Sequence, residues 1–146
     1  MRQKKDYIQL SASDLSNFLS CNHITTLDKK VIDGFLSAPE WNNPHVAALQ
    51  QRGFQHESNY ISYLESLNLT IATIPEGVSS EEAFGLTLEK MKEGVDIVVQ
   101  GVLKKDEWYG KCDVLRKVHG KSNFGEYSYE VIDTKLSRET KGGAIL

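Results

Sequence analysis

An α+β fold is predicted, with helices in the first half of the chain and a strand meander in the second. Two patterns carry this. Apolar residues recur at three- and four-residue steps in the first part, and short β-branched or aromatic runs with polar breaks follow from Asp96 onward. Ser11-Ala12-Ser13-Asp14 is a cap-rich start, and Leu15, Phe18, Leu19 and Ile24 give an apolar face behind it. Trp41-Asn42-Asn43 is a turn, and Pro44 suits the first position of the next helix. In that helix Leu49, Gly53, His56, Tyr60, Tyr63 and Leu67 share one stripe, which turns His56 inward and leaves Glu57 one position round on the surface.

Residues 68–74 read as a short strand. Ser79-Ser80-Glu81-Glu82 caps a helix from Ala83 to Lys92, and Gly94 ends it. Three strands follow, over 96–103, 108–115 and 127–132, joined by the polar turn Lys104-Lys105-Asp106-Glu107 and a loop over 119–126. The expected architecture is therefore N-terminal helices packed on a small mixed or antiparallel sheet, in one domain over 1–146.

Composition limits the function classes. The chain is 40% hydrophobic, with no repeat and no low-complexity tract, which suits an ordinary globular core. No apolar run approaches a membrane span, and Met1-Arg2-Gln3-Lys4-Lys5-Asp6 has no apolar stretch behind it, so neither a membrane role nor a signal peptide is expected. Two cysteines far apart, Cys21 and Cys112, fit reduced thiols in a cytoplasmic protein, with Cys21 read as a small buried hydrophobe. A net charge of −3 argues mildly against generic nucleic-acid affinity. The sign reverses locally, where Lys135, Arg138 and Lys141 face only Glu139.

Asp133-Thr134-Lys135 ends the strand Tyr127-Ser128-Tyr129-Glu130-Val131-Ile132. Strand alternation puts Asp133 and Lys135 on one face, and Asp113 on the neighbouring strand can meet Asp133 across the ladder. A carboxylate pair with an ammonium beside it is the donor set that holds a divalent cation against a phosphodiester. The triplet alone is weak: composition predicts about two acid-x-Lys triplets by chance, and the chain has three. A solvated cross-strand pair is the ordinary reading of a lone Asp-x-Lys, as a hydrogen-bonded core histidine is of His56.

The order Gly53-x-x-His56, Gly110-x-x-Asp113, Asp133-x-Lys135, preceded by the helix Leu10-Ser11-Ala12-Ser13-Asp14-Leu15-Ser16-Asn17-Phe18-Leu19-Ser20-Cys21, resembles the RecB-type branch of the PD-(D/E)XK nuclease superfamily. The resemblance implies a restriction-endonuclease-like core and a nuclease acting on DNA with Mg²⁺ or Mn²⁺, as in repair or defence. His56, Asp113 and Asp133 would converge as metal ligands, with the Thr134 carbonyl adding an oxygen. Lys135 would orient the attacking water, with Asp113 and Asp133 sharing the catalytic role. Arg138 and Lys141 would meet the nucleic acid, and a helicase domain or subunit would be a partner.

Two departures qualify this. In the family the motif block runs on into a helix with a Gln-x-x-x-Tyr pattern. This chain stops at Gly142-Gly143-Ala144-Ile145-Leu146, so an N-terminal fragment is expected, with weak activity and self-association through an uncovered sheet. Relatives with an iron–sulfur cluster use four cysteines, and two cannot build one. The alternative is a non-catalytic nucleic-acid-binding or interaction remnant of such a nuclease.

Overall fold

Local caps and breaks divide the N-terminal segment. The computed structural model describes residues 1–39 and 44–134, and the chain forms two compact units. One comprises residues 1–39 with Lys104–Gly110. It holds the strand pair Arg2–Gln3 (β1) and Ile8–Gln9 (β2) and the helices Ala12–Ser20 (α1) and Asn22–Ile32 (α2). The Asp14 carboxylate starts α1 by accepting the Ser11 N–H and hydroxyl, each at 2.7 Å, and it also meets the Met1 ammonium. Burial pushes the Asp14 pKa up, but those bonds and the ammonium outweigh it, and the net shift is downward.

The predicted helix through Ile24 is interrupted. Cys21 is extended (φ −163°, ψ 104°), so α1 ends there and α2 begins anew. Cys21 is exposed rather than buried, because it sits on that break instead of within a packed helix face. Leu10 donates to the Glu107 carbonyl at 2.9 Å and accepts from Tyr109 N–H at 2.8 Å, which ties 104–110 into this unit.

The second unit comprises Pro44–Leu103 with residues 111–134. Its elements are Pro44–Glu65 (α3), Ile71–Thr73 (β3), Ser80–Glu93 (α4), Ile97–Val99 (β4), Val114–Ser122 (β7) and Gly125–Ile132 (β8). Between β4 and β7 runs the hairpin Val102–Lys105 (β5) and Trp108–Lys111 (β6). Helix α4 starts and stops as its sequence dictates. The Ser79 hydroxyl accepts the Glu82 N–H at 3.2 Å, and Gly94 takes the left-handed C-cap (φ 75°).

The sheet has the order β3-β4-β7-β8, with β3 parallel to β4 and the other pairs antiparallel. It is therefore a small mixed sheet, and the chain is α+β as expected. The continuous meander is not formed. Expected strand 96–103 breaks at Gln100, whose φ is +57°, and 108–115 breaks before Val114. The expected loop over 119–126 is instead mostly strand, turning only at Asn123 and Phe124, where Gly125 supplies a φ of +116°.

Strand alternation sets the two faces. Ile97, Val99 and Val114 lie on one and pack with Leu64 of α3, flanked by Tyr60, Ile61, Ile71 and Ile132. Thr87 of α4 is fully buried; its hydroxyl donates to Ala83 O at 2.8 Å and accepts Val102 N–H at 2.9 Å. The end of α4 is held by β7 and β8. Tyr127 donates to Met91 O at 3.1 Å, Tyr129 to Val95 O at 2.5 Å, and Lys117 to Gly94 O at 2.7 Å. Among the described residues no helix is long and apolar enough to cross a membrane.

Candidate functional site at one end of the sheet

The register brings four chain segments to one edge. Thr73, Val99, Val114 and Ile132 are the last paired residues of their strands. The residues just beyond them, Ile74, Gln100, Asp113 and Asp133, therefore share that end. Because β3 and β4 are parallel, it is the carboxyl end of both, where ligand sites of such sheets gather.

Asp113 joins the segments. Its carbonyl accepts Gln100 N–H at 2.8 Å, continuing the ladder by one residue. Its carboxylate Oδ2 accepts the Thr134 N–H at 2.7 Å and the Thr134 hydroxyl at 3.0 Å. Charge-assisted bonds of this kind are stronger than neutral ones, so they pin the end of β8 to the start of β7. Asp113 and the Asp133-Thr134 segment are thus neighbours, though each aspartate lies one residue outside its strand, and it is the Thr134 side chain, which strand alternation would turn away, that meets Asp113. Lys135, Arg138 and Lys141 lie outside the described residues.

His56, expected to point inward, is exposed, and Leu49, Tyr63 and Leu67 of the predicted stripe are 61%, 56% and 46% exposed. The buried side of α3 is Gly53, Glu57, Tyr60, Ile61 and Leu64, which is the predicted stripe turned by about one position. The cause is packing. Apolar residues occur all round α3, so their spacing sets no sharp phase, and the sheet takes the aliphatic pair Ile61 and Leu64 rather than the tyrosine at 63. Glu57, expected on the surface, is thereby half-buried and meets the Gln100 side-chain amide.

Glu57 and Gln100 line a cleft of about 410 Å³ between α3 and the ends of β3 and β4, with Phe54, Ser58 and Thr73. Lys111 also reaches it and pairs with Glu76 at 3.7 Å. Sequence reasoning passed over Gln100. The signal was there in Gln100-Gly101, a non-β-branched residue before glycine inside an apolar run, which marks a break in a strand.

Beside this edge the Cys112 thiol donates to Gly101 O at 3.1 Å. Burial foremost, then the Asp113 charge, pushes its pKa up to about 11, although the backbone of Cys112 itself acts against them. It is a protonated, packed thiol rather than a nucleophile.

The metal expectation divides into two parts. Among the described residues no group of three His, Cys, Asp or Glu side chains that could hold an ion is found, so the expected His56, Asp113 and Asp133 set is not among such groups. The donors left at the edge are carboxylates and a threonine. That chemistry fits Mg²⁺, which is commonly held by one or two carboxylates and completed by water and substrate phosphate.

No protein-family model, curated protein or solved structure matches the chain.

Proposed function

We propose that the chain is a RecB-type PD-(D/E)XK nuclease module with a restriction-endonuclease-like core, hydrolysing phosphodiester bonds of DNA with Mg²⁺ or Mn²⁺. One observation carries the reading: the Asp113 carboxylate is bonded to Thr134, at the strand end that also bears Asp133. Two acidic groups just beyond the ends of adjacent strands, with Lys135 two positions after Asp133 in sequence, support the reading. Asp113 and Asp133 would hold the cation, with the Thr134 carbonyl as a further oxygen donor. When bound, the cation lowers the pKa of a coordinated water and screens phosphate charge. Lys135 would orient the attacking water, and Arg138 and Lys141 would meet the backbone. Thr134 fixes the Asp113 carboxylate by two bonds, so its oxygen needs little reorganisation to receive a ligand.

Titration calorimetry with Mn²⁺ and cleavage of a DNA oligonucleotide test this. The parent is expected to bind the ion, and Asp113→Ala to lose binding and cleavage together. Undiminished Mn²⁺ binding by Asp113→Ala would overturn the assignment.

A second reading is a nucleic-acid-binding remnant without catalysis. The missing three-ligand group among the described residues favours it. It predicts DNA retention that is indifferent to Mn²⁺ and to Asp113→Ala.

A further inference from the structure

Among the described residues, Asn68 (φ 57°), Gln100 (φ 57°) and Asp106 (φ 52°) have left-handed backbone without being glycine. Asn and Asp adopt that region readily, because their short side chains bond the local backbone. Gln has no such compensation, and glycine at Gln100 would relieve the strain. Such strain survives where surrounding structure over-determines it, often at functional sites.

The surroundings of Gln100 are specific. Its N–H is held by Asp113 O at 2.8 Å, and its side-chain amide donates to the Glu57 carboxylate. The next residue, Gly101, is fixed on both sides. Its carbonyl accepts Cys112 N–H at 2.9 Å, and a Cβ there would lie 2.8 Å from Leu115 Cδ1. The left-handed turn therefore sends the Gln100 side chain to α3 while its backbone carries Asp113.

We propose that Gln100 is a positioning residue, retained at a backbone cost because it links Glu57 of α3 to the backbone of Asp113. This rests on the nuclease reading above. Glu57 sets where the Gln100 amide lies, the turn sets where its N–H lies, and that N–H sets the height of Asp113 at the strand end. Partners of this kind, one step behind a metal-binding carboxylate, commonly change ion affinity by 10–100-fold, on the order of magnitude seen for outer-shell bonds.

The test uses the full chain in Gln100→Gly, Glu57→Ala, the double variant and Asp113→Ala. Three quantities are read: melting temperature without metal, the amide NMR shift of Thr134, and Mn²⁺ affinity by calorimetry. Gln100→Gly is expected to keep its melting temperature within about 2 °C, since relief at φ +57° offsets the lost Glu57 bond. It should nevertheless move the Thr134 amide, which reports on the Asp113 carboxylate, and weaken Mn²⁺ binding about tenfold. Glu57→Ala should do the same, and the double variant should lose no more than either single change, as coupled residues do.

Additive losses, a still Thr134 amide, or a melting temperature that falls in step with affinity would overturn the proposal. Its failure is separable from that of the nuclease reading. If Asp113→Ala abolishes Mn²⁺ binding while Gln100→Gly leaves it intact, only the positioning role falls. If the parent binds no Mn²⁺, the nuclease reading itself falls.

Discussion

Asp96 shows how one carboxylate can carry a junction. Its Oδ2 accepts the Thr70 hydroxyl at 2.6 Å and N–H at 3.0 Å, and its Oδ1 pairs with Lys117 at 3.0 Å. These bonds, Thr70 first, draw its pKa from 3.8 down to about 2, against a smaller opposing effect of burial. A depressed folded pKa means stability that is complete above the unfolded value and lost as pH falls from about 4 to about 2. Its side chain is 34% exposed, so solvent screening reduces the contribution to about 1 kcal/mol. Urea unfolding at pH 6 and pH 3 should show the parent losing more stability than Asp96→Asn. Equal losses would remove Asp96 from the acid response.

The two thiols make a second residue-scale contrast. At pH 8 an alkylating reagent should modify exposed Cys21 and spare Cys112, whose pKa near 11 leaves about one thiolate in a thousand. Mass spectrometry of the labelled peptides reads the result directly. Cys112 labelled as fast as Cys21 would mean that the β4–β7 edge opens freely.

At the scale of elements, α4 was legible and α3 only in part. Ser79 and Gly94 bracket α4, because caps are local chemistry, although the helix starts at Ser80, three residues before the expected Ala83, since Ser79 alone is the cap. The existence of α3 and its start at Pro44 were equally local. Its rotation was not, since which side is buried depends on Ile97, Val99 and Val114, distant in sequence. The break at Gln100 was marked locally by Gln100-Gly101, but both halves of 96–103 have strand composition, and only the partner strands decide that they belong to different sheets. His56→Ala should therefore keep Mn²⁺ affinity within about twofold of the parent, as expected for an exposed side chain. A large loss would restore the sequence-based phase of α3.

The Gln100-Gly101 turn also sets an element-scale stability prediction. Gly101→Ala places a methyl 2.8 Å from Leu115 Cδ1, and Leu115 is only 1% exposed, so its side chain must shift within the core. A loss of about 1–3 kcal/mol is expected by chemical denaturation, as for overpacked cores. Gly110→Ala, with nothing within 4 Å of the added atom, serves as the control. Equal stability of the two variants would show that Leu115 repacks.

For the whole molecule, the α+β class was readable, because hydrophobic periodicity and turn chemistry are local; that the Thr134 side chain bonds to Asp113 was not, because strand alternation ends with β8 at Ile132. The two-unit organisation was not, since it depends on Leu10 meeting Glu107 and Tyr109. The self-association expected from a bare sheet has a different visible basis. Phe18, Leu19 and Phe35 of the first unit are 51%, 54% and 78% exposed. Sedimentation velocity should show concentration-dependent association that Phe18→Ser with Phe35→Ser reduces. A parent that stays monomeric up to about 100 µM would contradict it, since interfaces of ordinary strength form well below that.

The path of the chain between the units governs the order of folding. Leu10 closes its bonds only with Glu107 and Tyr109, about a hundred residues later. During synthesis α1 and α2 emerge first, yet their unit stays incomplete until 104–110 has left the ribosome, by which time α3, β3, α4 and β4 are already out. At about 5–20 residues per second, that delay lasts about 5–20 s, long compared with helix formation in microseconds. The Leu10 backbone groups therefore wait unpaired by protein for that time, and α1 and α2 are made well before their unit is finished.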